Sequence, residues 1–173
     1  MRCVALVRGI NVGGNTKVSM AELKGVFESL GFQDVRTYIN SGNVGFDLEE
    51  GGGLTDQIEK AVENHFKLPI QVMTRERREV EKILANNPFA GQFESHKEMH
   101  VLFMKDEMPK EKEELLIEKQ TENERFEVRG REIYCHLRLG VADSLLGKGF
   151  IEKKLKVPIT ARNWRTVQKL AEL

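Results

Sequence analysis

The run Arg8-Gly9-Ile10-Asn11-Val12-Gly13-Gly14-Asn15-Thr16-Lys17 follows directly on an apolar stretch, Cys3-Val4-Ala5-Leu6-Val7. It combines two cations, two side-chain amides and three glycines. A guanidinium is a planar fork of donors that matches a carboxylate or phosphate, and glycines let backbone N–H groups turn toward a bound anion. A second small polar segment, Asn40-Ser41-Gly42-Asn43, offers a hydroxyl and two amides. Together these residue types point to recognition of an oxyanion. They do not form a nucleotide P-loop: Gly9 and Gly14 have the Walker separation, but Asn15 stands where lysine is needed and Lys17 comes late. G-x-G-x-x-G is absent as well.

Other chemistries find less support. His65, His96, His100 and His136 show no metal-ligand spacing with another His, Cys or carboxylate, so no metal and no cofactor are expected. No G-x-S-x-G elbow or Ser/His/Asp order stands out, and no base is assigned to Ser41. Cys3 and Cys135 fall inside apolar runs and read as buried, reduced thiols.

The elements that must hold these residues follow from periodicity. Ser19-Met20-Ala21-Glu22 is a capping box, and Met20, Leu23, Val26, Phe27 and Leu30 make one apolar helix face. Strands are predicted over residues 3–8, 35–40, 44–48 and 70–73, with Ser41-Gly42 as a tight turn and Pro69 opening the fourth. A second helix carries Ile58, Ala61, Val62 and Phe66 after the flexible Gly51-Gly52-Gly53. The order βαββαβ is ferredoxin-like.

The chain then repeats itself. Lys67-Leu68-Pro69-Ile70 returns as Lys156-Val157-Pro158-Ile159, and a helical pattern from Thr74 to Ala85 returns from Thr160 to Ala171. The second copy is predicted to use strands at 100–105, 125–129, 132–137 and 157–159, with helices after Pro109 and from Asp143. The expected fold is therefore α+β: two tandem ferredoxin-like βαββαβ halves with antiparallel sheets, each followed by an extra helix. Residues 1–86 form the first half, 87–98 a linker and 99–173 the second half with its C-terminal helix.

In βαββαβ topology, the loop after strand 1, the turn between strands 2 and 3 and the approach to strand 4 share one sheet edge. That gathers Arg8, Asn11, Gly13, Gly14, Lys17, Ser41, Asn43 and Lys67. Arg162, just outside the helix predicted from Asn163, is a further candidate. Plainer readings stand beside these. Asn40 and Asn43 also suit turns that bond their own backbone, Asn163 suits a helix N-cap, and Trp164 suits core packing.

Three ordered segments carry a resemblance. They are Arg8 through Gly14; Tyr38 with Ser41-Gly42-Asn43-Val44 and Phe46; and Thr160-Ala161-Arg162-Asn163-Trp164-Arg165-Thr166-Val167. They resemble the hallmark segments of the bacterial domain-of-unknown-function 1697 family, and the likeness spans nearly the whole chain. It implies an α+β fold of two related halves and implies no activity. Many members carry a lysine directly after the serine corresponding to Ser144, whereas this chain has Leu145 there and Lys148 a turn later.

Bulk composition narrows the partners. The 173 residues hold 27 Lys+Arg and 27 Asp+Glu, a formal net charge of zero, so no global field draws the protein to nucleic acid or anionic lipid. Strand 1 has no aromatic and strand 3 only Phe46, which disfavours RNA binding on the sheet face. No run approaches the ~18 apolar residues of a membrane span, and the start of the chain reads as a strand and not a signal peptide. The sequence thus predicts a cytoplasmic protein whose first half binds an anionic or phosphorylated small molecule. A protein–protein or assembly module and nucleic-acid binding through a local basic edge are the alternatives. Oligomeric state is left open.

Overall fold

The structure is a computed structural model that describes residues 1–13, 16–50 and 52–173. The chain forms two compact units, Met1–Lys82 with Lys169–Leu173, and Ile83–Gln168.

In the first unit the elements are β1 (Arg2–Val7), α1 (Met20–Ser29), β2 (Gln33–Tyr38), β3 (Asn43–Asp47), α2 (Leu54–Phe66), β4 (Val72–Glu76) and the start of α3 (Arg77–Ala85). The sheet order is β2-β3-β1-β4, all antiparallel. The second unit carries β5 (Met99–Phe103), α4 (Lys110–Glu118), β6 (Glu124–Arg129), β7 (Glu132–Leu137), α5 (Phe150–Lys153), β8 (Thr160–Asn163) and most of α6 (Trp164–Leu170). Its order, β6-β7-β5-β8, is the same pattern. This is the ferredoxin-like arrangement twice over, as the repeat implies.

Each sheet packs one face on its own helices. Cys3, Ala5 and Val7 of β1 and Phe46 of β3 bury against Leu23 and Phe27 of α1 and Ile58 and Val62 of α2. Phe27 meets Phe46 edge-on at 5.4 Å, and Phe32 stacks on Phe46 at 4.6 Å. In the second unit Leu102, Cys135 and Leu137 pack with Leu116 and Ile151. The thiols of Cys3 and Cys135 are buried and unlinked; burial pushes Cys3 up to about 11 and Cys135 well above the ordinary thiol range. Among the described residues no helix is long and apolar enough to cross a membrane.

The duplication extends to unusual backbone. Lys67 and Lys156, the lysines of the repeated Lys-X-Pro-Ile, both take left-handed φ, 58° and 57°. Gly53 and Gly149, which precede α2 and α5, are both left-handed too, at 61° and 74°.

Four sequence expectations need correction. The fourth strands lie at Val72–Glu76 and Thr160–Asn163, not at 70–73 and 157–159. Pro69 and Pro158 cannot donate to a ladder, and the polar residues after them, read as helix starts, are captured by β1 and β5 instead. The helix expected from Asp143 shrinks to Phe150–Lys153; Gly147 and Gly149 interrupt its pattern. The β2–β3 connection has four residues, 39–42, and not two. Trp164 is only half-buried, edge-on to Phe93 at 6.0 Å. The expectation for Gly51 lies outside the described residues.

The segment Lys169–Leu173 explains a glycine in the middle of β3. Arg2 Nη2 donates to the backbone oxygen of Leu173, and Arg77 Nε donates to that of Ala171 at 2.7 Å. A Cβ at Gly45 would sit 2.9 Å from the Leu173 backbone. Gly45→Ala is therefore expected to destabilise by about 1–3 kcal/mol, as overpacking does. A lower urea midpoint with an unchanged m value checks this; an unchanged midpoint would contradict it.

Candidate functional site

Three loops meet at the carboxyl end of β1. Val7 N donates to Gly42 O at 2.8 Å, and Arg8 N donates to Gln71 O at 2.9 Å. The last residues of β1 thus tie the β2–β3 turn on one side and the approach to β4 on the other.

Asn11 holds the β1–α1 loop together. Its backbone N–H bonds Thr16 O at 3.0 Å. Its side-chain oxygen accepts from Val18 N at 2.9 Å, and Nδ2 donates to Val18 O at 3.0 Å and to Asn40 O at 2.8 Å. Both amide donors are thereby committed, so Asn11 acts as a clamp across the loop and onto the neighbouring turn. Asn43 does the same inside the turn: fully buried, it donates from Nδ2 to Tyr38 O at 2.9 Å and Ser41 Oγ at 3.0 Å. Gly42 is required twice. Its φ is 89°, and a Cβ would meet Val7 Cβ and Ile10 Cδ1 at 2.9 Å. Gly13 is left-handed at 60° and exposed, as its place in the loop implies. Gly14, with Asn15, lies outside the described residues.

Arg8 is half-buried, and Lys17 and Lys67 are exposed. Lys17 borders an open depression of about 430 Å³ with Asn11, Val18, Ser19, Met20 and Asn40. Ser19 caps α1, its hydroxyl accepting from Glu22 N at 3.3 Å. Residues 8–19, 39–42 and 67–71 contain three cations and no carboxylate. Val12, Ile39 and Leu68, one from each loop, are the exposed large apolar residues of this edge.

The second copy provides an internal comparison. Where the first unit has twelve residues between β1 and α1, the second has six between β5 and α4; where the first has four between β2 and β3, the second has two between β6 and β7. The shorter loop also mixes signs, with Lys105, Asp106 and Glu107.

Arg162 has a different setting from the one its sequence position suggests. It lies inside β8, opposite Val101, just as Arg75 in β4 lies opposite Val4. It is buried, donates from Nη1 to Thr160 Oγ1 at 2.7 Å and to Ala161 O at 2.9 Å, and is lowered by desolvation to about 10. Asn163 does cap α6, accepting from Thr166 N at 3.0 Å.

Strand register creates one row that the linear sequence hides. Cys135, His100 and Asn163 are cross-strand neighbours on β7, β5 and β8. These are the residue types of a thiol-nucleophile triad. The row is structural here, because Cys135 is fully buried and Asn163 is committed to its cap.

A family model described as "Protein of unknown function (DUF1697)" matches residues 1–134. The solved structure of the conserved bacterial protein SP0830 from Streptococcus pneumoniae is similar, with a TM-score of 0.74 and 28% identity over 99% of this chain and 97% of that one. No curated protein matches.

Two outcomes follow from this geometry. Asn11→Ala is expected to cost about 1–3 kcal/mol, because three backbone groups lose a partner. Asn11→Gly is expected to cost about 1 kcal/mol less, since φ is 55° there and only the alanine is strained; urea melts of both variants check the order. His100 gives a pH signature. Burial, and secondarily His96, lower its folded pKa to about 4, below the ~6.5 of an unfolded histidine. Between those values the unfolded chain binds the extra proton, so stability is full above pH ~6.5 and falls as pH drops toward 4, by roughly 3 kcal/mol. His100→Gln is expected to flatten that slope in urea melts, and an identical slope would show that His100 is not its source.

Proposed function

We propose that this chain, which belongs to the DUF1697 family of proteins of unknown function, binds an anionic or phosphorylated small molecule at the loop edge of its first unit. One observation carries the reading. On a duplicated scaffold, the first copy alone has long loops at this edge, and those loops bear cations without carboxylates. Long loops on a rigid frame are where binding usually resides. Arg8 supplies the fork for the anion, Lys17 and Lys67 supply the field, and Ser41 with the backbone at Gly13 supplies further hydrogen bonds. Asn11 and Asn43 serve by holding the loops. Arg162 is left out of this site because its buried guanidinium donates within β8. The loops contain no His, Asp or Glu to act as base, which favours recognition over catalysis.

Backbone strain at the edge supports the same reading. Asn11, Thr16 and Ile39 are left-handed non-glycine residues without a left-handed counterpart in the second copy, three of the six among the described residues. Such strain persists where surrounding structure enforces it, and it concentrates at functional sites. A second reading rests on Val12, Ile39 and Leu68, whose exposure suits a protein partner on this edge. Sheet-face RNA binding is not favoured, since Phe46 is fully buried under the helices.

A thermal-shift screen against inorganic phosphate, phosphosugars, nucleotides and dicarboxylates tests the proposal. A compound at 100 times its dissociation constant is expected to stabilise by ~2.7 kcal/mol. Arg8→Ala is expected to abolish that shift while leaving the far-ultraviolet circular dichroism intact. Absence of any hit, or a shift that survives Arg8→Ala, would overturn it. Loss of a partner protein on Ile39→Ser, with no anion hit, would establish the second reading instead.

A further inference from the structure

A separate cleft of about 570 Å³ lies wholly within the second unit, over the sheet face turned away from α4 and α5. Its lining includes Glu94, Glu98, Glu122, Arg125, His136 and Arg138. Strand register explains the grouping. His136 of β7 is opposite Arg125 of β6, and Arg138, just past the end of β7, lines the same cleft. The segment between α3 and β5 builds the other wall. Its Phe89 and Phe93 rings stand 5.8 Å and 6.5 Å from the His136 ring.

The groups in this cleft fall into two kinds. Some are held in place. Glu98 Oε2 accepts from the backbone N–H of Glu94 and of Ser95, both at 2.9 Å. Arg125 donates to Gln92 Oε1 at 2.7 Å and lies 5.0 Å over the Phe89 ring. Others are uncommitted: among the described residues the side chains of Arg138, Glu94 and Glu122 make no hydrogen bond or ion pair. At the base is His136, only 7% exposed. Its Nε2 is buried without a short hydrogen bond and faces the Glu98 carboxylate at 3.9 Å, a contact that becomes an ion pair when the ring is protonated. A buried polar nitrogen that lacks a short hydrogen bond is costly and calls for an explanation. Desolvation lowers the His136 pKa, Glu98 opposes that shift, and Arg125 and Arg138 add to it. The ring is thus neutral near pH 7 and offers one donor and one acceptor.

We infer that this cleft is a binding site for a small zwitterion, one that carries a carboxylate or phosphate together with an ammonium or guanidinium group. Arg138, with Arg125 behind it, takes the oxyanion in a charge-assisted contact. Glu94 and Glu122 take the cationic group, and His136 supplies the buried hydrogen-bonding partner between them. The mixed lining decides the class. Glu94 and Glu122 oppose a bare anion, and the two guanidiniums oppose a bare cation, whereas a ligand bearing both signs meets complementary charge at each end. The volume suits a small molecule. The site belongs to the second unit and does not depend on the loop edge of the first.

Histidine-ring NMR on the full chain tests this, with His136 assigned through His136→Gln. Glycine and phosphoethanolamine are the zwitterionic probes; they also separate carboxylate from phosphate as the preferred oxyanion. Inorganic phosphate and ethylammonium are the single-sign controls. At least one zwitterion is expected to shift the His136 signals saturably, and to bind about tenfold or more tightly than either control. Arg138→Gln, an exposed change that leaves the fold alone, is expected to weaken that binding by about tenfold, and Glu94→Gln with Glu122→Gln by a similar factor. No saturable shift with either zwitterion would overturn the inference. So would phosphate binding as tightly as phosphoethanolamine, or unchanged binding in Arg138→Gln.

Discussion

The antiparallel pairing of β1 with both β3 and β4 is the constraint on which the first unit depends. A strand paired on both sides must end beside both neighbours. The bonds from Val7 N to Gly42 O and from Arg8 N to Gln71 O are the last rungs of those two ladders. They bring three loops, far apart in sequence, within side-chain reach. Everything proposed for that edge is a consequence of this ending. The helix-facing side of β1 is sealed by Cys3, Ala5 and Val7 in the core, so the strand cannot slide without exposing it, because a one-residue slip turns every side chain to the other face.

The duplicated halves separate what the scaffold needs from what it does not. Features that recur in both are structural by that fact: the left-handed lysines at 67 and 156, the left-handed glycines at 53 and 149, and the buried arginines at 75 and 162. Features present in one copy have no such scaffold role. The long β1–α1 loop, the Asn11 clamp and the left-handed Ile39 belong to the first copy alone. A left-handed non-glycine residue costs roughly 1–2 kcal/mol. Keeping several of them in surface loops that the second copy builds without them argues for a use other than folding.

Much of this was legible from residues. The N-cap at Ser19, the end of α3 at Ala85, the repeat around Lys67 and Lys156, and the convergence of Arg8, Asn11 and the Ser41–Asn43 turn all follow from local pattern joined to one topological rule. What escaped was set by long-range pairing. Thr74-Arg75-Glu76 and Thr160-Ala161-Arg162-Asn163 are polar and continue into helices, so their own pattern reads as helix; only ladders to β1 and β5 make them strands. Arg162 belongs to the second of these segments. Its buried setting depends on the strand opposite, which no local window contains. The His136 cleft was hidden in the same way, since Arg125 and His136 are neighbours by register and Phe89 and Phe93 arrive from a segment that reads as a turn-rich linker.

The two candidate sites also differ in how their chemistry is made rigid. At the first, flexible backbone is fixed by side-chain amides: Asn11 replaces a missing strand partner for Val18, and Asn43 fills the inside of a turn. Such a site depends on a few hydrogen bonds at the surface, each worth about 1 kcal/mol net, so its geometry has room to adjust around a ligand. At the second, the central group is a histidine on an internal strand, fixed by a β-ladder and two aromatic rings. Little adjustment is available there, because core packing resists small displacements. A ligand proposed for the loop edge would thus meet adjustable backbone, whereas one proposed for the cleft would meet a fixed imidazole with the uncommitted side chains of Arg138, Glu94 and Glu122 around it. That contrast comes from the fold itself: one candidate site hangs from strand ends, and the other is centred on a strand residue.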